Sequence, residues 1–150
     1  MIDWTGEHGL QIGRTVVRDQ HLLRGTWLLV LLTAITSMTT HLLSGNARAI
    51  PFFISESDYP GPERILFTGG FTIAGLLFCA LSMRLAHTFE TAVGQKQSQL
   101  SKWFGLVTGV SLICVAWFNM HDQIIIHSIF AMVAFIGGYG WSCSTHLAIS

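Results

Sequence analysis

The charges in this 150-residue chain leave four long gaps. No Asp, Glu, Lys or Arg stands from Gly25 to Ala47, from Ile65 to Met83, from Trp103 to His121, or from Gln123 to Ser150. A helix crossing a hydrocarbon core about 30 Å thick needs roughly 20 mostly apolar residues. Each gap meets or approaches that length. Runs such as Trp27-Leu28-Leu29-Val30-Leu31-Leu32 and Phe71-Thr72-Ile73-Ala74-Gly75-Leu76-Leu77-Phe78 are apolar around the whole helical circumference. The helices of a soluble bundle are apolar along one stripe only, and the alternating segments of a membrane β-barrel are absent from the sequence. The expected fold is therefore all-α: a polytopic membrane protein built as a four-transmembrane-helix bundle. Its spans fall at about 24–43, 64–87, 102–120 and 124–146, within a transmembrane domain over 24–150. The last two spans are separated only by Asn119-Met120-His121-Asp122-Gln123, which makes them an antiparallel hairpin.

The remaining charges narrow the function. Eight basic residues balance eight acidic ones, whereas a nucleic-acid binder needs surplus positive charge against phosphate; no nucleic-acid partner is expected. Arg14, Arg18, Arg24, Arg84, Lys96 and Lys102 share one side with both termini, against Arg48 and Arg64 on the other. Basic residues favour the inner side of a membrane, so both termini are expected in the cytosol, or in the matrix of a mitochondrion. Segment 1–23 carries Asp3, Glu7 and Asp19 ahead of the first apolar run. These acids argue against a signal or transit peptide. The segment reads instead as an amphipathic stretch on the membrane surface or as a tail packed on its neighbours.

Packing and chemistry can be separated by residue type. Small residues let helices approach closely in lipid. Gly105 and Gly109 in the third span, and Ala134, Gly138 and Ser142 in the fourth, form rows that suit either internal packing or a partner helix. Cys79, Cys114 and Cys143 all fall within spans and lack the spacing of a metal site. His41, His121 and His127 lie toward one membrane face. A haem between His41 and His127 is a weak alternative to simple hydrogen bonding near the interface. His87 and His146 lie toward the other face and form no obvious pair. No carboxylate stands deep in a span to relay protons, and no nucleophile elbow, phosphate loop or zinc-protease motif is present. The chain is not expected to be an enzyme or to hold a resident cofactor, though bound phospholipid is compatible with it.

The loop after the first span carries the most information. In Pro51-Phe52-Phe53-Ile54-Ser55-Glu56-Ser57-Asp58-Tyr59-Pro60-Gly61-Pro62-Glu63-Arg64, Pro62 suits the first turn of a helix. Glu63 falls where the helix dipole favours an acid. With Glu56 and Asp58, it is expected to form a solvated acidic rim on a rigid loop.

The pattern Pro51-x-x-Ile54-Ser55-Glu56, followed by Pro62-Glu63-x-x-x-Phe67, resembles the first extramembrane loop of a known family. That family unites the damage-regulated autophagy modulators, the FGF-receptor-activating-protein group and their yeast relatives. The likeness continues through Phe104-Gly105-Leu106-Val107-Thr108-Gly109 and at His127, Ala131, Phe135 and Gly138, covering roughly 24–147. The resemblance implies a multi-pass protein connected with autophagy, GPI-anchor lipid remodelling or lipid asymmetry. The family's usual topology has six spans, and four are legible here.

Two functional expectations follow. The first is a non-catalytic membrane subunit with a structural, assembly or lipid-binding role, its partners being membrane lipid and other membrane-protein subunits. A respiratory or other energy-transducing complex, and hence the mitochondrial inner membrane, is the leading host. The second is an independent family-like protein acting on membrane traffic, autophagy or lipid distribution, in an endomembrane. A small haem- or ion-handling protein stands third.

Overall fold

The structure, a computed structural model, describes residues 2–3, 9–12, 14–48 and 53–149. Four helices follow one another: α1 (Asp19–Leu43), α2 (Pro62–Val93), α3 (Gln95–Trp117) and α4 (Ile124–Ile149). All four are long and apolar enough to cross a membrane. They run up and down. Gln97 at the start of α3 donates to the carbonyl of Ser144 near the end of α4, and Asp19 at the start of α1 meets Arg84 late in α2.

Helix boundaries differ from the sequence expectation because the helices outrun their apolar cores. α1 begins at Asp19 rather than at 24, held by the pairing of Asp19 Oδ1 with Arg84 Nε at 2.8 Å. α2 continues past 87 to Val93, and α3 starts at Gln95 rather than 102. The polar stretch expected as a loop is helical on both sides of Gly94, whose φ of +88° makes the break. Few residues other than glycine adopt that conformation readily. α3 ends at Trp117 rather than 120 because Phe118 turns extended, its N–H still donating to Cys114 O. α4 runs three residues beyond 146.

The N-terminal segment carries secondary structure of its own. Its described residues form strands packed on the bundle. β1 (Ile2–Asp3), β2 (Leu10–Ile12) and β3 (Thr15–Val17) make a small antiparallel sheet in that order. The short β-branched and apolar runs around Gly9 and Arg14 favour strands. Leu10 and Val17 carry the sheet onto the end of the bundle, joining Leu22, Phe78, Leu81 and Trp141 in one apolar cluster.

A second cluster, Phe67, Phe71, Val115 and Ala116, fills the other end of the bundle. Val30, Ala34, Phe130 and Ala131 pack against it from α1 and α4. Gly105 and Gly109 sit where α3 crosses α2. A Cβ on Gly105 would collide with the Ser82 side chain, and one on Gly109 would lie 2.7 Å from Gly75 O. This glycine pair is taken up inside the bundle. In α4, Gly138 and Ala134 are half-buried and Ser142 is exposed, so that row is only partly covered. The outward faces are strongly apolar, with Leu28 and Leu31 of α1 and Ile125, Phe135, Ile136 and Tyr139 of α4 exposed.

Candidate functional site

Polar residues collect at the end of the bundle where α1 gives way to α2 and α3 to α4. A short 3-10 helix, Ile54–Ser57, lies across this end. Its connection to α2 starts the helix at Pro62, the first helical residue, because a missing N–H costs nothing there. Ile54 and Phe53 face outward, and Phe67 is buried one turn into α2. Ser55 closes the turn, its carbonyl accepting from Asp58 N–H. Pro51 lies outside the described residues.

The acidic residues are not a solvated rim. Glu63 and Asp58 are 0% exposed and Glu56 is buried. Burying a carboxylate is tolerable only when it is paired and hydrogen-bonded, and each acid has partners from a different part of the chain. Glu63 Oε1 takes His41 Nδ1 at 3.2 Å and Asn46 Nδ2 at 2.9 Å, while Ser44 Oγ donates to Oε2 at 3.4 Å. Glu56 Oε1 accepts from Arg48 Nη2 at 2.7 Å and from the Phe53 N–H at 2.9 Å. Burial works against the ionised form of Glu56. The Phe53 N–H and the Arg48 guanidinium outweigh it and hold the carboxyl below its ordinary value of 4.5.

Asp58 behaves differently. Its Oδ2 accepts from the Met120 N–H at 3.3 Å, and the Arg64 guanidinium stands 3.7 Å from Oδ1, outside hydrogen-bonding reach. Burial dominates and raises this carboxyl above its ordinary 3.8, against the lowering influence of Met120, Arg64, His127 and His121.

The loop between α3 and α4 meets these acids. His121 Nε2 lies 3.3 Å from Glu56 O, and the His121 N–H donates to Asn119 Oδ1 at 2.7 Å. Tyr59 stands between two imidazoles, its ring centroid 5.8 Å from His41 and 5.2 Å from His121. His127 Nδ1 lies 2.7 Å from Phe118 O. Ser57 Oγ reaches Ser37 Oγ of α1 at 3.1 Å. The result is a polar plug that ties both loops to all four helices.

The structure thus brings together His41, Glu56, Glu63, His121 and His127, which the sequence had singled out. His41 and His127 each engage a protein oxygen through Nδ1. Among the described residues, no group of three or more His, Cys, Asp or Glu side chains is arranged to hold a metal ion. Sequence reasoning missed Asn46, Ser37, Asn119 and the burial of Asp58. The one available signal was their clustering within a few residues of the span ends.

A bundle of four membrane-length helices closed at one end by a buried, hydrogen-bonded loop defines a polytopic integral membrane protein. The sequence model described as the Frag1/DRAM/Sfk1/Cwh43P N-terminal domain matches residues 22–149, and the chain belongs to that family. None of the curated proteins and none of the solved structures compared with the chain matches it.

Proposed function

We propose that the protein is a non-catalytic membrane scaffold that carries no resident cofactor and docks lipid or another membrane-protein subunit along α4. The observation that carries this reading is the row Ala134, Gly138 and Ser142. Gly138 meets its nearest neighbour, Thr108 Cγ2, only at van der Waals distance, and Ser142 is exposed. Around it stand Phe135, Ile136 and Tyr139, also exposed. Small residues beside large apolar ones let a second helix or an acyl chain approach the backbone. The polar plug supports the non-catalytic part, because Glu56, Glu63, His41 and His121 are each engaged in joining loops to helices or to one another. The test is native electrophoresis and mass spectrometry in mild detergent. A defined complex or retained phospholipid, lost in Gly138→Leu, is the expected result. Migration of a lipid-free monomer would overturn the reading. A Soret band in purified protein would overturn its cofactor-free part.

Family membership favours a second reading, an independent protein acting on membrane traffic, autophagy or lipid distribution. Loss of the protein would then alter autophagic flux or lipid exposure while leaving every membrane complex assembled. In either case the excess of Arg and Lys beside the termini supports a cytosolic or matrix location for both ends, which protease protection of tagged termini would test.

A further inference from the structure

At the opposite end of the bundle from the polar plug, α2 and α3 enclose a cavity of about 220 Å³. His87 and Glu90 line it from α2, and Ser98, Gln99 and Lys102 from α3. His87 and Glu90 stand three residues apart, as do Gln99 and Lys102, and that spacing puts each pair on one helix face. Ser98 is buried and donates to the Ala86 carbonyl, joining the two helices beside the cavity. His87 and Glu90 are exposed, while Gln99 and Lys102 are half-buried. Among the described residues, neither Glu90 nor Lys102 forms an ion pair. The Lys102 ammonium lies instead 5.9 Å from the centroid of the Trp103 ring. One cavity thus presents a carboxylate, an ammonium and an imidazole that are not matched to one another.

The depth of the cavity narrows its ligand. The uncharged run of α2 ends at Met83 and that of α3 begins at Trp103. Met83 and Lys102 both line the cavity, so it straddles the level where the helices pass from hydrocarbon to headgroups. Trp103 is exposed there, as interfacial Trp anchors are. Pockets that enclose a whole small ligand run to roughly 300–1,000 Å³. The smaller volume here suits a headgroup whose chains lie elsewhere. A place for those chains adjoins it. Trp103, Val107 and Val110 are exposed along α3, and an apolar groove of about 270 Å³ runs from Leu100 and Trp103 to Val133 and Ile136 of α4. Gln99 and Lys102 each immediately precede a groove residue, so the two surfaces are neighbours on α3, about 100° apart around its axis.

We propose that this cavity binds the phosphoethanolamine headgroup of a membrane phospholipid, whose acyl chains lie along Trp103, Val107 and the α3–α4 groove. Lys102 and His87 donate to the phosphate. Glu90 and the Gln99 amide oxygen accept from the primary ammonium, whose N–H groups are donors only. Other common headgroups match less well. Choline has no N–H to donate, and a quaternary ammonium is received by aromatic cages. None of the described residues lining this cavity is Phe, Tyr or Trp. A serine headgroup adds a carboxylate that would stand against Glu90. The site lies apart from the Ala134, Gly138 and Ser142 row and stands whatever occupies that row.

Native mass spectrometry of the full chain, titrated in detergent with dioleoyl phosphatidylethanolamine, phosphatidylcholine or phosphatidylserine, tests this. The ethanolamine lipid should bind about threefold to tenfold more tightly than the other two, the scale of one charge-assisted contact in a half-open site. Glu90→Gln should remove the preference over the choline lipid while leaving choline-lipid affinity unchanged. Lys102→Gln should weaken both, because both carry the phosphate. Gly138→Leu should leave the preference intact. Glycerophosphoethanolamine, the same headgroup without chains, should bind at least about tenfold more weakly than the lipid, since two buried methylenes already contribute that much. Equal affinity for the three lipids would overturn the proposal, as would a preference that survives Glu90→Gln. Glycerophosphoethanolamine binding as tightly as the lipid would overturn the membrane source and point to a soluble phosphate ester.

Discussion

Glu63 Oε1 stands 3.2 Å from His41 Nδ1, with both side chains essentially sealed from solvent. The contact joins the last turn of α1 to the first turn of α2 across the intervening loop of residues 44–61. Asn46 adds a bond to the same oxygen. Glu63→Ala leaves the buried His41 without this acceptor. Removing one partner of a buried pair costs about 3–5 kcal/mol, so the melting temperature in detergent should fall sharply. Glu63→Gln keeps an acceptor oxygen and should cost clearly less. Equal losses in the two variants would show that the carboxylate is not organising this end.

Glu56 predicts an acid limit on loop stability. Its carboxyl is held below 4.5 by the Phe53 N–H and Arg48 despite the opposing effect of burial. A depressed folded value means that the stabilisation is present above the unfolded value and is lost as pH falls through the folded one. The loop should therefore loosen below about pH 4.5, read as increased proteolysis near residues 53–58. Glu56→Gln should remove that dependence.

The α2–α3 crossing predicts opposite signs at two glycines. Gly109→Ala would place a methyl 2.7 Å from Gly75 O and 3.0 Å from Cys79 N. Both obstacles are backbone and cannot rotate away. Overpacking of this kind costs about 1–3 kcal/mol. A methyl on Gly69 meets nothing within 4 Å, so Gly69→Ala should be neutral or stabilising by up to about 1 kcal/mol through helix propensity. Thermal unfolding of the two variants side by side decides it.

At the opposite end, buried Arg84 pairs with half-buried Asp19. Asp19→Ala leaves a guanidinium enclosed without this acid and should free the start of α1 and the sheet packed on it. The expected readout is faster amide exchange over residues 10–23, with the polar plug at the far end unaffected. A change confined to the plug would contradict the placement.

Much of this architecture was legible in the chain, and the gaps have physical causes. The four spans follow from uncharged runs that only lipid accommodates, and Pro62 marks the start of α2 because its ring fits the first turn. The helical continuations on either side of Gly94 were not legible. Gln95, Lys96, Gln97 and Ser98 are polar, and polarity alone does not separate a loop from a helix that has emerged into water. The strands at Leu10–Ile12 and Thr15–Val17 were obscured because the same residues also fit an amphipathic surface segment. In the plug, the residues were visible and their burial was not. Whether Asp58 faces solvent depends on Met120, and whether Glu63 does depends on His41 and Asn46. Those meetings are decided by the fold, at long sequence separation, and leave no local pattern.

The single-residue break at Gly94 bears on how the protein reaches its membrane. α2 has 32 residues, about 48 Å at 1.5 Å per residue, against a hydrocarbon core of about 30 Å. Its last turns stand outside that core together with the first turns of α3, and Gly94 leaves no slack between them. A one-residue link couples the two helices, and lengthening it is expected to let them insert separately.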